Sequence, residues 1–598
     1  VGFFIAPVFL QPVYFSFKRR TFAMSTPAIP TIKETKAQKS ERLKLAKNPW
    51  DGWEEVRRFA LEGRDSVLPE WANLYFKWWG VYTQGDGVGA TGGVGGEGKA
   101  TEFFMMRIGL PNGILTGAQL RVIGGLTKKY ARNLADITTR QNIQLHWLTI
   151  SALVDVVDAL AAVGLSPKGA CGDVVRNVTG CPLAGLDGHE LIDASPLAVE
   201  IAHHLTANPE FYNLPRKFKI SVTGCPLWCS YPEINDLALT AIRRTNVDGT
   251  EETGYTLRVG GGLSTEPHLA VRIPAFVRQE QALAVVHATT VIFREQLALR
   301  ENRTRARIKY LFMRHGWTAE SFLAALEEKL GYKLDPSPVT EDIVPDDVYR
   351  DHIGVTPQRQ AGLSTVGASV LRGRLSGDQL ERLAELAEQY GSGELRATIM
   401  QNIVIVNVPH AKVGELVLAL NTLGLQVDVS AFWRGAIACT GTEFCKLAIA
   451  ETKAFSKWLV SEMEERLPGF DQQIKLHVTG CTNSCGQHWI ADIGLEGKKI
   501  KKDGQAVDAF YFCVGGAVGK YARTARPLGY RAAAEDVPGA VERLLRGYLA
   551  DRQPEEDLRA YFARTDDDRL RAQLAGAVVD AVERDAPPVG AGRHAPGE

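Results

Sequence analysis

The sequence lacks most marks of a specialised class. It has no net charge, with 69 Lys and Arg against 69 Asp and Glu, whereas a dedicated nucleic-acid binder carries a basic surplus. Nine cysteines in 598 residues are too few for a disulfide scaffold. Beyond the opening segment there is no long apolar run, so no spanning helix is expected. Charged residues at 23% and hydrophobic ones at 45% exclude disordered and fibrous chains. The length implies about three to five domains with ample core.

The ends read as peripheral. The apolar opening VGFFIAPVFLQPVYFSF carries Lys18, Arg19 and Arg20 after its apolar run and encloses Pro7 and Pro12. A signal peptide has its charge before the run, so an over-extended start, with Met24 as the true one, is favoured over a signal peptide or anchor. The stretch from Ala586 is low in complexity and reads as disordered. The expectation is a cytoplasmic protein whose cysteines begin as thiols or metal ligands.

What is present is a repeat. Residues 113–165 align without a gap onto 373–425, with 16 of 53 positions identical, well above chance for this composition. Gln141-Asn142-Ile143 recurs as Gln401-Asn402-Ile403, and Gly164-Leu165 as Gly424-Leu425. LTGAQLRVIGGLTKKYA and LSGDQLERLAELAEQYG show helical spacing after a Thr or Ser N-cap. NIQLHWLTI and NIVIVNV alternate as strands, and a second helix in each copy ends at glycine. The expected order is strand, helix, strand, helix, an α+β unit used twice. The duplication extends to SVTGCPLWC (221–229) and HVTGCTNSC (477–485). Each half is therefore a small α+β unit followed by a larger α/β domain with a Cys-x3-Cys loop.

The cysteines cluster in the second half. Cys439 and Cys445 lie in CTGTEFC, and Cys481 and Cys485 in CTNSC. Four thiolates on loops suit an iron–sulfur cluster, the first gap is wide for a zinc knuckle, and buried unliganded thiols are a further reading. Gly441, Gly480 and Gly486 leave room for backbone to approach sulfide and donate amide hydrogen bonds.

The boxes CTGTEFCKLAIAETK and TGCTNSCGQ resemble those of siroheme-dependent nitrite and sulfite reductases, with flanks closer to ferredoxin–nitrite reductases of the NirA type. FMMRIGLPNG (104–113), TTRQNIQL (138–145), GDVVRNVTGCPLAG (172–185) and NLPRKFKISVTGC (213–225) extend the resemblance over roughly 75–565. It implies an α+β duplicated architecture: two ferredoxin-like half-domains paired by pseudo-two-fold symmetry, plus two larger α/β domains. The implied divisions are an extension at 1–45, disordered or from a misplaced start, an N-terminal segment with the first half-domain at 46–170 and an α/β domain at 171–350. They continue with the second half-domain at 351–430, the cluster domain at 431–565 and a tail at 566–598. The resemblance further implies that Cys439, Cys445, Cys481 and Cys485 bind a 4Fe-4S cluster, Cys485 also bridging to siroheme iron. Arg107, Arg140, Lys217 and Lys219 match positions that hold the oxyanion, and Arg176, Arg216 and Asn483 face siroheme, whose eight carboxylates call for cations. Arg140 becomes Met400 in the second copy, an asymmetry that suits one anion site per duplicated molecule.

The resemblance implies nitrite reduction to ammonia, with sulfite reduction on the same scaffold as the alternative. An iron–sulfur electron carrier without siroheme is the reading from another class. CTGTEFC and Gln487 look like nitrite reductases, whereas the second lysine of Lys217-Phe218-Lys219 resembles the sulfite enzymes. The glycine-rich segment 85–99 contains GxGxxG and GxxxxGK, but Ala100 stands where a phosphate loop has Ser or Thr, so it reads as a loop. With no nicotinamide or flavin domain in view, reduced ferredoxin is the expected donor to a monomer, with no nucleic-acid or membrane partner. The roles of Cys171, Cys181, Cys225 and Cys229 stay open, a second cluster or reduced buried thiols. Cys513, in FYFCVGG, reads as core.

Overall fold

The computed structural model describes residues 34–84, 102–246, 248–342, 344 and 350–576. The apolar opening segment, Met24, the 85–99 glycine-rich stretch and the tail from Ala586 lie outside the described residues.

The repeat becomes two half-domains. The helix Gly117–Tyr130 begins at Thr116, whose side chain accepts the Gln119 N–H while Gln119 reaches back to the Thr116 N–H; Ser376 and Gln379 do the same for Gly377–Tyr390. The recurring Gln119 and Gln379 are thus capping-box residues, each N-cap contributing about 1 kcal/mol. Leu120, Ile123 and Leu126 on one helix, and Leu380, Leu383 and Leu386 on the other, enter one shared core.

Each half-domain sheet is completed by its twin. Phe104–Ile108, Ile143–Leu148 and Ala135–Ile137 run antiparallel, and Arg374–Leu375 of the second copy adds to Ala135–Ile137. Reciprocally, Ile114–Thr116 pairs with Glu394–Ala397 in the sheet of Leu363–Ala368 and Ile403–Pro409. The expected strand–helix–strand–helix order omits these strands. Two or three residues are too few to show an alternation.

The Gln-Asn-Ile repeat is explained by the same exchange. Gln141 Nε2 donates to Ala397 O and Gln401 Nε2 to Ile137 O, both at 2.9 Å. Gln141 Oε1 accepts from Gly180 N at 3.0 Å, and Gln401 Oε1 from Ala438 N at 3.1 Å. Each buried amide therefore joins the opposite half-domain to the α/β unit on its own side. Gln401→Ala is expected to destabilise the protein by about 2–4 kcal/mol, since it orphans a buried carbonyl and a buried N–H. Urea unfolding with an unchanged m-value checks this, and a loss below about 1 kcal/mol contradicts it.

Two α/β units repeat as well. Thr179–Gly180, Ile220–Thr223 and Leu237–Thr245 pair in parallel, followed by antiparallel Glu251–Val259 and Val271–Arg278. Ala436–Ala438, Leu476–Thr479, Ile493–Lys502, Gln505–Val514 and Arg526–Ala533 retrace that order. In both units the cysteine loop leaves the carboxyl end of a parallel strand, where open α/β sheets bind ligands. Cys513 is buried within Gln505–Val514. The fold is thus α+β and duplicated, as the resemblance implied.

Two end segments differ from expectation. Lys36–Ala46 is a helix, not a disordered extension, and its fully buried Lys44 donates to Leu214 O at 2.9 Å. Asp567–Ala575, assigned to the tail, is a helix whose Leu570 and Leu574 belong to the core of the second α/β unit. Both stretches are so polar that only a few anchoring side chains reveal their docking.

Candidate metal and anion site

Parallel pairing of Ala436–Ala438 with Leu476–Thr479 sets the two cysteine loops side by side. Cys439 N donates to Val478 O at 3.1 Å, and Gly480 N donates to Cys439 Sγ, also at 3.1 Å. At Gly486 a Cβ would stand 2.3 Å from Val478 O, so only glycine permits this approach. Asn483 Nδ2 donates to Cys481 Sγ at 3.5 Å. Burial, reinforced by the neighbouring Cys485 thiol, pushes Cys445 up to about 12 and Cys481 up to about 11; Cys439 rises for the same reasons. Cys485 is the exposed member.

The four sulfurs influence one another but are spread apart. Among the described residues, the trio with donor atoms within 4.8 Å of one another is Cys181, Cys229 and His352, not any three of these four. A single tetrahedral zinc would hold sulfurs about 3.8 Å apart, given bonds of about 2.3 Å. The wider set suits the larger frame of a cluster.

A cationic wall faces Cys485. Thr139 Oγ1 donates to Cys485 O at 3.3 Å, bringing the Arg140 loop against the cysteine loop. Arg107 and Lys217 both lie within electrostatic reach of the Cys485 sulfur. Arg107 is fixed by Gln144 Oε1, which accepts from Nε at 3.0 Å and from Nη2 at 2.7 Å, while Nη1 donates to Cys171 Sγ at 3.0 Å. Arg140 donates to Asn235 Oδ1 at 2.8 Å and Asn177 O at 2.6 Å, and its buried Nε has no partner. Among the described residues neither the Lys217 nor the Lys219 ammonium meets an acceptor, although Lys219 N donates to Asp236 Oδ2 at 2.8 Å.

The electrostatics reflect unmatched positive charge. Burial, against the pull of Asp236, lowers Arg140 to about 9, with Arg176 and Arg307 adding to the fall. Burial, then Arg216, Arg307 and Arg176, lowers Lys217 to about 7, and burial and Lys217 lower Lys219 as well. The nearby carboxylates are already engaged: Asp236 takes Arg307 at 2.7 Å on both oxygens, and Asp173 takes Arg216 at 2.9 Å and Arg303 at 2.6 Å. Cations buried without counter-ions are costly. The orphaned Arg140 Nε and the two partnerless ammoniums fit a polycarboxylate such as siroheme and a small oxyanion beside an exposed thiol.

Not every expected residue points free. Arg176 spends Nε and Nη2 on Gly172 O and Nη1 on Ala170 O, and Arg216 is paired with Asp173. Sequence reasoning overlooked Arg303, Arg307 and Lys309, although ENRTRARIK (301–309) is visibly basic. It also overlooked Gln144 and Asn235, neutral positioning residues that leave no pattern in one sequence.

Comparison with known proteins matches this geometry. The nitrite and sulphite reductase 4Fe-4S domain matches residues 171–334 and 430–578, and the nitrite/sulfite reductase ferredoxin-like half domain matches 96–163 and 356–423. An assimilatory ferredoxin-dependent nitrite reductase of Haloferax mediterranei is 36% identical over 538 residues, covering 85% of this chain and 88% of its own. A ferredoxin sulfite reductase of Mycolicibacterium paratuberculosis is 36% identical over 548 residues, covering 89% of this chain and 96% of its own. The solved structure of the Mycobacterium tuberculosis NirA protein superposes with a TM-score of 0.83 at 35% identity, covering 89% of this chain and 97% of that one.

Proposed function

We propose that this chain, which belongs to the nitrite and sulfite reductase family, reduces nitrite to ammonia with electrons from reduced ferredoxin. It is an oxidoreductase of a family that carries siroheme and a 4Fe-4S cluster. The observation that carries the reading is the wall of under-compensated cations facing the exposed Cys485 thiol. Cys439, Cys445, Cys481 and Cys485 would hold the cluster, Cys485 also the siroheme iron, and Asn483 would orient Cys481. Arg176 and Arg216 would border the siroheme carboxylates. When bound, the two groups supply electrons and an iron atom for the substrate.

The residues supply grip and protons. Arg107, clamped by Gln144, and Arg140, clamped by Asn235, present donors whose direction is fixed before substrate arrives. Conversion of nitrite to ammonium and two waters takes up six electrons and eight protons. Lys217, whose ammonium burial and the neighbouring Arg216 make more acidic, is placed to pass a proton to a departing oxygen. Lys219 adds charge to the same wall. A cytoplasmic setting, which keeps thiols reduced, suits nine free cysteines. Among the described residues no helix is long and apolar enough to cross a membrane.

Relatives named for both substrates share this scaffold, and the second lysine favours the more highly charged sulfite. The test is kcat/KM for nitrite and for sulfite with the same reduced ferredoxin. Nitrite is expected to win, and the reverse order would make the protein a sulfite reductase. Lys219→Asn is expected to raise the nitrite-to-sulfite ratio about tenfold, equivalent to about 1.4 kcal/mol. A shift toward sulfite would refute this role of Lys219.

A further inference from the structure

The duplication leaves a second cysteine pair where the other half has its cluster pair. Cys225 and Cys229 follow Ile220–Thr223 as Cys481 and Cys485 follow Leu476–Thr479. Both loops pass through left-handed residues at matching places, Trp228 and Tyr231 in one, Ser484 and Gln487 in the other. The surroundings differ. Cys181, after Thr179–Gly180, and His352, on the chain entering the second half-domain, close over the first pair. Cys181, Cys229 and His352 are buried, with donor atoms within 4.8 Å of one another. Cys225 is buried in the same cluster as Cys181 and Cys229.

We propose that Cys181, Cys229 and His352, with Cys225 of the same buried cluster as the fourth ligand, bind one structural zinc ion. The donors are three sulfurs and an imidazole, a set that zinc takes in closed tetrahedral sites. Cys181, Cys229 and His352 lie closer together than any three of the cluster cysteines, as donors that share a single ion do.

His352 supplies an independent observation. It is only 9% exposed, yet neither ring nitrogen has a hydrogen-bond partner. A buried imidazole normally finds partners, and a metal bond would provide one. The backbone at His352 is tightly packed. His352 sits at φ +62, and a Cβ on Gly367 would fall 1.6 Å from its carbonyl oxygen. That strand can press on the His352 carbonyl only because position 367 is glycine.

The surroundings suit a closed site. Zinc binding sends the thiol protons to solvent and leaves one net negative charge. Arg350, itself paired with Asp187, lies near Cys181 and Cys229. Leu183, Leu186, Val404 and Val406 pack around the sulfurs, so four protein ligands exclude a water position and hence catalysis at zinc. The ion would pin the first α/β unit to the chain leading into the second half-domain.

The test is zinc-edge anomalous diffraction from holoenzyme crystals, with zinc and iron quantified per chain. The expected result is a stoichiometric zinc peak between these four side chains. No zinc there in zinc-replete protein, iron there instead, or a disulfide among Cys181, Cys225 and Cys229 would overturn the assignment. His352→Ala and Cys229→Ser are expected to weaken zinc retention at least about tenfold, the scale seen even for outer-shell partners. Their siroheme and cluster absorption should persist, which separates this site from the redox centre. Should the variants fail to fold, the wild-type diffraction decides alone.

Discussion

Replacing Arg140 with methionine, the residue its twin position carries, is expected to lower kcat/KM for the oxyanion by about two to three orders of magnitude. The repeat makes the exchange informative. Thr138-x-x-Gln141-Asn142-Ile143 and Thr398-x-x-Gln401-Asn402-Ile403 share a frame, and the glutamines make the same bonds in both copies. Methionine is therefore compatible with the backbone at this position. Met400 itself is buried among Tyr231, Ile437 and Ile490, and accepts from Tyr231 Oη at 3.3 Å. Arg140 instead stands beside the Cys485 loop with an unpartnered Nε. The check is steady-state kinetics beside the absorption spectrum of the loaded enzyme. Lower turnover with intact spectrum supports the grip, partial recovery in Arg140→Lys assigns it to charge, and a fall below about threefold would contradict it.

The second large effect concerns stability. Asp173→Asn is expected to destabilise the protein by about 3–5 kcal/mol, the scale of breaking a buried ion pair from one side. Asp173 is fully buried and gathers Arg216, Arg303 and, at 3.7 Å, Lys44. It thereby joins the first helix to the cationic wall. Burial alone would raise its carboxyl, but Arg303, Arg216 and Lys44 outweigh burial and hold it well below the usual carboxylate range. A group depressed in the folded state stabilises it above the unfolded value, about 3.9. The wild-type advantage over Asp173→Asn should therefore be full above about pH 5 and shrink as acid approaches the folded value. Urea unfolding of both proteins between neutral and acid pH measures this. An advantage that grows toward low pH would show the pairing to be misassigned.

The legible parts of the molecule were those with a period or a spacing. The helix starts at Thr116 and Ser376 follow from Ser/Thr-x-x-Gln, and the strands before the cysteine loops from alternation. The exchanged strands Ile114–Thr116 and Arg374–Leu375 were hidden because their pairing is decided by the opposite copy. Of the site, charged and thiol residues stand out in a sequence, while their holders do not. Gln144 and Asn235 orient Arg107 and Arg140 through bonds across 37 and 95 residues. His352 was passed over for the same reason, since nothing in its sequence neighbourhood mentions cysteine.

The strand exchange also sets a timetable for synthesis. Leu115 pairs with Leu395, so the strand Ile114–Thr116 emerges from the ribosome with its partner still unmade. At about 5–20 residues per second, the wait is on the order of 15 to 55 s. During that interval the nascent chain displays an open β-edge that can recruit the wrong strand. Neither half can finish alone. The edge is protected only when the second copy arrives, which makes the duplicated core a late and all-or-none step of folding.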